Sequence, residues 1–184
     1  MTVLENLPAD LPIPTDDGAC DHLLGRQMPN VSLSSTSDKT IGLQGLNGRL
    51  VIYCYPMTGR PGTNLPDGWD QIPGARGCTP QSCSFRDHYN ELLELDTNIF
   101  GLSTQTTEYQ KEVKERLHLP YDLLSDKDQQ FANALQLPFH FVDSMTLIKR
   151  VTLIFESGMI VKYFYPVFPP DKNIDEVISW LKTN

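Results

Sequence analysis

The stretch "GARGCTPQSCSFRD", residues 74–87, sets two cysteines, Cys78 and Cys83, five positions apart. Thr79 reads as a helix N-cap and Pro80 as the first helical residue, where a missing N–H costs nothing. Cys78 then stands at the edge of a helix N-terminus. Unpaired N–H groups and the macrodipole there favour a thiolate, the nucleophilic form of the side chain. Arg76 and Arg86 are close in sequence and add positive charge. The spacing is too wide for a thioredoxin-type C-x-x-C, and no second Cys pair or His cluster is present to complete a zinc site. Two residues five apart on one helix are separated by ~7.5 Å of rise and roughly 140° of rotation. A disulfide needs Cα atoms within about 7 Å and Cβ vectors that meet. Either the pair never bonds, or the helix start melts to allow it, at far lower cost than global unfolding.

Upstream lies "LVIYCYP" (50–56), a continuous apolar run and the mark of a strand buried on both faces. Cys54 within it reads as a small buried hydrophobe. The segment between, "MTGRPGTNLPDGWDQIPGARG" (57–77), contains three Pro and five Gly. It is a loop, too long for a bare connection. Its Trp69 reads as an anchor for the loop, with a lid over the site as the other reading. Residues 1–27 read as an irregular arm; Cys20 there has no neighbouring cysteine and reads as incidental. Residues 28–49 hold short β-prone pieces.

Downstream, Phe85, Tyr89, Leu92 and Leu93 continue the helix as core contacts. "NIFGLS" (98–103) is a second buried strand. Tyr109, Val113 and Leu117 mark an amphipathic helix ending before Pro120, and "YDLLSDKDQQFANAL" gives an extended piece and a short helix. "RVTLIF" and "MIVKYFYP" flank "ESG", a hairpin signal. Ile174, Val177, Ile178 and Leu181 form a C-terminal amphipathic helix. The order is that of an α/β fold, a central mixed β-sheet flanked by helices.

A chain of 184 residues fits one domain with a sizeable core. The net charge of -8 leaves no basic stripe for nucleic acid. No apolar run approaches the roughly 18 residues needed to cross a bilayer, and the N-terminus lacks a basic n-region and an apolar h-region. These features place the chain in the cytosol, where a close Cys pair reads as catalytic or metal-binding.

"YPMTG…PGARGCTPQSCSFRD" resembles the active-site segment of the peroxiredoxins of the AhpC/TSA superfamily, most closely the bacterioferritin comigratory protein group. The resemblance continues through "GLSTQTTEYQKEVKERLHLPYDLLSDKD" (101–128) and "KRVTLIFESGMIV" (149–161), and covers roughly residues 25–184. It implies a thioredoxin-like fold: a peroxiredoxin domain over 28–184 preceded by the 1–27 arm. It implies a thiol-dependent peroxidase acting on hydrogen peroxide and organic hydroperoxides. Cys78 would be the peroxidatic cysteine, oxidised to a sulfenic acid, and Cys83 the resolving cysteine that closes an intramolecular disulfide. Arg150 would hold the thiolate and orient the peroxide. Pro56 and Thr58 would border the substrate. A thioredoxin-like donor would recycle the enzyme; no cofactor or metal is implied, and a monomer or weak homodimer is expected.

Two departures from the family stand out. Pro56 lies 22 residues before Cys78, making the loop about 15 residues longer than the family's. Position 75, where the family carries Thr or Ser, is Ala, so the hydroxyl contact must come from elsewhere; Thr58 and Thr63 are the loop's candidates. Gln81 matches a polar helix position and reads as a surface residue. Two other functions compete: a protein thiol–disulfide oxidoreductase, disfavoured by the five-residue spacing, and a non-catalytic thioredoxin-fold redox sensor, admitted by Ala75.

Overall fold

The structure, a computed structural model, describes residue 7 and residues 10–184. Residues 1–6, 8 and 9 of the 1–27 arm lie outside the described residues. The elements in chain order are β1 (Ser32–Ser35), β2 (Thr40–Gly42), β3 (Arg49–Cys54), α1 (Cys78–Asp87), α2 (Tyr89–Glu94), β4 (Thr97–Ser103), α3 (Thr107–Leu117), β5 (Leu123–Ser125), α4 (Gln130–Leu135), β6 (Phe139–Val142), β7 (Met145–Ile148), β8 (Val151–Glu156), β9 (Met159–Phe164) and α5 (Asn173–Thr183). Seven strands form one sheet in the order β2-β1-β5-β4-β3-β8-β9. The β5-β4-β3 centre is parallel and the flanks are antiparallel, the mixed sheet expected from the alternation of strand and helix signals.

β3 is central and buried on both faces, as its unbroken apolar run requires. Leu50, Ile52 and Cys54 point into one core, with Phe131 and Leu135 of α4. Val51, Tyr53 and Tyr55 point into the other, with Phe85 of α1, Val113 of α3 and Ile178 of α5. The period-2 alternation of a strand thus divides one run between two cores. Because β3 is central, the loop leaving it and α1 returning to it lie at one end of the sheet.

Three expectations need correction. The helix expected to run from Phe85 through Leu93 breaks at His88, whose φ of -106° and ψ of 12° leave the helical region. The Ser84 carbonyl accepts from both the His88 amide and its ring Nδ1 (3.3 and 2.9 Å), satisfying a terminal acceptor without another turn. Leu93 consequently faces solvent at 45% exposure instead of joining the core. The second correction is the β6–β7 hairpin, which no sequence signal announced; its strands alternate poorly, and Phe141 is exposed. The third is Cys20, which is not incidental. It packs in the first core, and burial pushes its thiol up to about 12. The adjoining backbone bonds alongside β9, through Gly25 N–H to Ile160 O (2.8 Å) and Ile160 N–H to Arg26 O (2.9 Å). That pairing covers part of the sheet's edge.

Candidate active site

The N-cap of α1 is Gly77, not Thr79, and Cys78 is the first helical residue. Gly77 has φ +103°, and a Cβ there would come within 2.7 Å of Pro170 Cγ, so both backbone and packing call for glycine. Thr79 and Pro80 follow as the second and third helical residues. No side chain caps the helix, so its first amides keep their orientation toward the cysteine end.

Arg150 stands just before β8 and reaches across to this helix start. Its Nη2 lies 3.1 Å from Cys78 Sγ and donates to the carbonyls of Ala75 (3.2 Å) and Arg76 (3.1 Å). Its Nη1 donates to Gln81 Oε1. Gln81 Nε2 then donates to Asn173 Oδ1 (3.1 Å), which also accepts from Thr152 Oγ1 (2.6 Å). Cys78 and Arg150 are each only 3% exposed. A buried guanidinium is costly unless paired. Among the described residues, no carboxylate reaches Arg150. Besides Gln81, the side chain it meets is Cys78, whose thiol donates to the Ala75 carbonyl (3.6 Å).

Gln81, expected on the helix surface, is therefore fully buried and fixes the arginine. With the helix starting at Cys78, Gln81 falls at i+3 and shares the cysteine's face. Shifting the N-cap from Thr79 to Gly77 would have brought it into view from the sequence. Asn173 and Thr152 carried no local signal; only the packing of α5 and β8 brings them here.

The other expected residues are placed as follows. Pro56 is buried at the end of the β3 segment, where the loop departs. Thr58 is fully buried, and its amide and hydroxyl both donate to Gln105 Oε1 (3.0 and 3.1 Å), while Gln105 Nε2 returns a bond to Thr58 O (3.2 Å). Thr58 does not line the small cavity at Cys78. That space, about 20 Å³, is bordered by Met57, Leu65, Trp69, Arg76 and Thr79. Thr63 faces a larger neighbouring cavity. Trp69 is buried in a small cluster with Ala75, Val142 and Leu147, anchoring the loop. Arg76 pairs with Asp70. Arg86 is directed elsewhere, to Asp87 (2.8 Å) and the Leu117 carbonyl (2.9 Å).

Cys83 lies on the same intact helix and is half-buried against the second core. Beneath α1, Tyr53 Oη donates to Ser82 Oγ (3.1 Å) and contacts Tyr121 Oη (3.0 Å), and Tyr121 Oη donates to Ser82 O (2.9 Å). Phe85 stacks on Tyr53 with ring centroids 4.6 Å apart. These contacts hold the helix closed while both cysteines are reduced.

The sheet order and the helix that opens on Cys78 are those of the thioredoxin-like fold. The chain belongs to the Redoxin family, whose model matches residues 23–178. It is 30% identical over 164 residues to "Peroxiredoxin Bcp" of Bacillus subtilis, covering 86% of this chain and 94% of that protein. It is 29% identical over 161 residues to "Peroxiredoxin Q, chloroplastic" of Oryza sativa, again over 86% of this chain but only 66% of the plant protein's length. The fold is shared with peroxidoxin BcpB of Mycobacterium tuberculosis (TM-score 0.72, 22% identity, covering 88% of this chain and 98% of that one). It is also shared with peroxiredoxin Q of Xanthomonas campestris (TM-score 0.66, 20% identity, covering 96% and 99%).

Proposed function

We propose that the chain is a thiol-dependent peroxidase that reduces hydrogen peroxide and organic hydroperoxides through Cys78 and Cys83. The observation that carries this reading is the 3.1 Å contact between the buried Arg150 guanidinium and Cys78 Sγ at the first residue of α1. In the first step, the Cys78 thiolate bonds to the terminal oxygen of ROOH. The O–O bond breaks, and the departing oxygen takes up a proton to leave as ROH, water when R is hydrogen. Cys78 is oxidised to a sulfenic acid. Arg150 and the helix amides are fixed before reaction, so they stabilise charge without reorganising.

In the second step, the Cys83 thiolate attacks the Cys78 sulfur, the S–S bond forms, and the sulfenic oxygen leaves as water. An intact helix keeps the two residues ~7.5 Å apart along its axis, so α1 must unwind first. A thioredoxin-like dithiol protein then reduces the disulfide by exchange and is itself oxidised. Thr58 serves this reaction by pinning the loop's start through Gln105 rather than by touching peroxide. Thr79 borders the small cavity beside Cys78, and this reading gives its hydroxyl the part that Ala75 cannot take. None of the described helices is long and apolar enough to cross a membrane. The same reading takes the protein as a cytosolic monomer or weak homodimer, a state that sedimentation velocity of the reduced protein measures.

The decisive test is peroxide consumption coupled to thioredoxin and its reductase. Cys78→Ser should abolish turnover; retention of most activity would sink the assignment. Cys83→Ser should leave a sulfenic acid that dimedone traps, with turnover dependent on an external thiol. Insulin reduction without peroxide turnover would instead mark a protein thiol–disulfide oxidoreductase.

A further inference from the structure

We infer that Asn173, the first residue of α5, is a positioning residue of the active site: its carboxamide oxygen orients Gln81 and, through Gln81, the Arg150 guanidinium at Cys78. The inference rests on the peroxidase reading and adds a residue to it. The row of hydrogen bonds has a fixed polarity. A guanidinium offers only donors, so Gln81 must turn its Oε1 toward Arg150 Nη1. With the amide reversed, its NH2 would meet the arginine donor to donor. The other end of the correctly turned amide, Nε2, points away from the arginine and needs an acceptor. Asn173 Oδ1 is that acceptor, at 3.1 Å. Thr152 Oγ1 donates to the same oxygen at 2.6 Å and holds it in place. Gln81, Thr152 and Asn173 are all fully buried, so bulk water does not stand in for a lost partner.

Local structure gives no other reason for an asparagine at 173. Asparagine is a poor former of helix interiors and a good N-cap. The N-cap of α5 is Lys172, and no side chain caps that helix. Asn173 Nδ2 is buried and makes no hydrogen bond to any described residue. A buried unpaired donor lowers stability, and leucine, of similar size and shape, would not bring one. The carboxamide therefore weakens the fold at its nitrogen and contributes only through its oxygen. The backbone that carries this oxygen is tied to the helix that carries Cys78. Pro170 packs on Gly77 so closely that a Cβ there would come within 2.7 Å, and Ser84 Oγ donates to the Asp171 carbonyl (2.6 Å). Gly77, Gln81 and Ser84 lie on one side of α1, and all three meet the 170–173 segment. The oxygen thus keeps a constant place relative to Cys78, the condition for an arginine to act without reorganising.

The experiment measures iodoacetamide alkylation of Cys78 at neutral pH by peptide mass spectrometry over residues 77–86, together with peroxide consumption and thermal melts of the full chain. In the peroxidase reading Arg150 holds Cys78 as the thiolate, so alkylation reports how well the arginine is placed. In Asn173→Leu, Gln81 loses its acceptor and Arg150 its fixed partner. Alkylation and peroxide consumption should both slow about tenfold, the loss of one buried hydrogen bond. The melting temperature should move little, because an unpaired Gln81 Nε2 replaces an unpaired Asn173 Nδ2. Asn173→Asp keeps an oxygen in the Oδ1 place. It should restore most of the wild-type rates while lowering the melting temperature, because its second oxygen is left unpaired in the core. A merely structural residue would give rates that follow the melting temperature in both variants. That result, or wild-type rates in Asn173→Leu, would overturn the inference. If the aspartate variant does not fold, the leucine variant decides by its rates at an unchanged melting temperature. Failure of the wild type to consume peroxide would strike the peroxidase reading instead, and the alkylation rates would still decide the role of Asn173.

Discussion

At the scale of single residues, the proposed chemistry turns on Arg150. Its Nη1 is held by Gln81, and its Nη2 is shared among the Ala75 and Arg76 carbonyls and Cys78 Sγ. Lysine cannot reproduce that planar fork. Arg150→Lys should slow reaction with peroxide by about 10² or more, the usual loss of one preorganised electrostatic contact. Alkylation of Cys78 by iodoacetamide at neutral pH should slow in parallel; an unchanged alkylation rate would make Arg150 merely structural. Gln81 offers a finer test. Gln81→Leu strands a buried donor of Arg150 and should cost about 1–3 kcal/mol of stability. Gln81→Glu instead places a carboxylate on Arg150, competing with Cys78 for its charge. It should slow alkylation more than it lowers the melting temperature, and equal effects of the two variants would contradict the electrostatic role.

At the scale of elements, α1 is, in the proposed cycle, both the support of the thiolate and the obstacle to the disulfide. The Tyr53, Tyr121 and Ser82 contacts weigh on the closed side. Tyr121→Phe removes the bond to the Ser82 carbonyl and should cost about 1 kcal/mol. It should also speed disulfide formation after a peroxide pulse, followed by peptide mass spectrometry over residues 77–86. In the wild type, amides from 78 to 87 should exchange faster in the oxidised protein than in the reduced one. Equal protection in both redox states would contradict the unwinding step. A Cys78 disulfide to Cys20 or Cys54 would remove Cys83 from its role and leave Cys78 in place.

At the scale of the whole molecule, stability should carry the marks of three titratable groups: half-buried His140, exposed Asp17 and buried Cys20. His140 is held down from 6.5 to about 4, first by burial and then by the charges of Lys149 and Arg150. The unfolded chain takes up this proton near pH 6.5 and the folded one resists it until about 4. Stability from this group is therefore full above the upper value and lost as pH falls toward the lower. Asp17, lowered from 3.8 to about 2 by Lys149 and Tyr165, adds a further loss at more acid pH. Cys20 is raised from 9.0 to about 12 by burial, so the folded state keeps its proton where the unfolded state gives it up, and stability declines as pH rises past 9. Thermal melts should show a plateau between about pH 6.5 and 9. His140→Gln should flatten the limb between about pH 4 and 6.5; an unchanged limb would assign it to other groups.

The sequence by itself determined the sheet's central strand, most of its helices and the pair of cysteines at a helix start, whereas Arg150 entered only through the family resemblance. Those features are local or periodic: an unbroken apolar run, a 3.6-residue repeat, and a proline and two cysteines near a helix start. The mixed sheet, the Cys78–Cys83 geometry and the anchoring of Trp69 were legible on the same grounds. What only the tertiary structure decided were matters of who faces whom. Gln81 reads as polar surface until α5 and β8 bring Asn173 and Arg150 against it. Thr58 reads as a peroxide ligand until Gln105, 47 positions away, takes its hydroxyl. Cys20 has no cysteine near it in sequence, yet the chain packs it into a core with Leu23 and Phe131. The long loop declared its length but not the cavity it borders, because a cavity is a property of the two walls together. One wall is the loop; the other is α3 and β7, which reach it only through the fold.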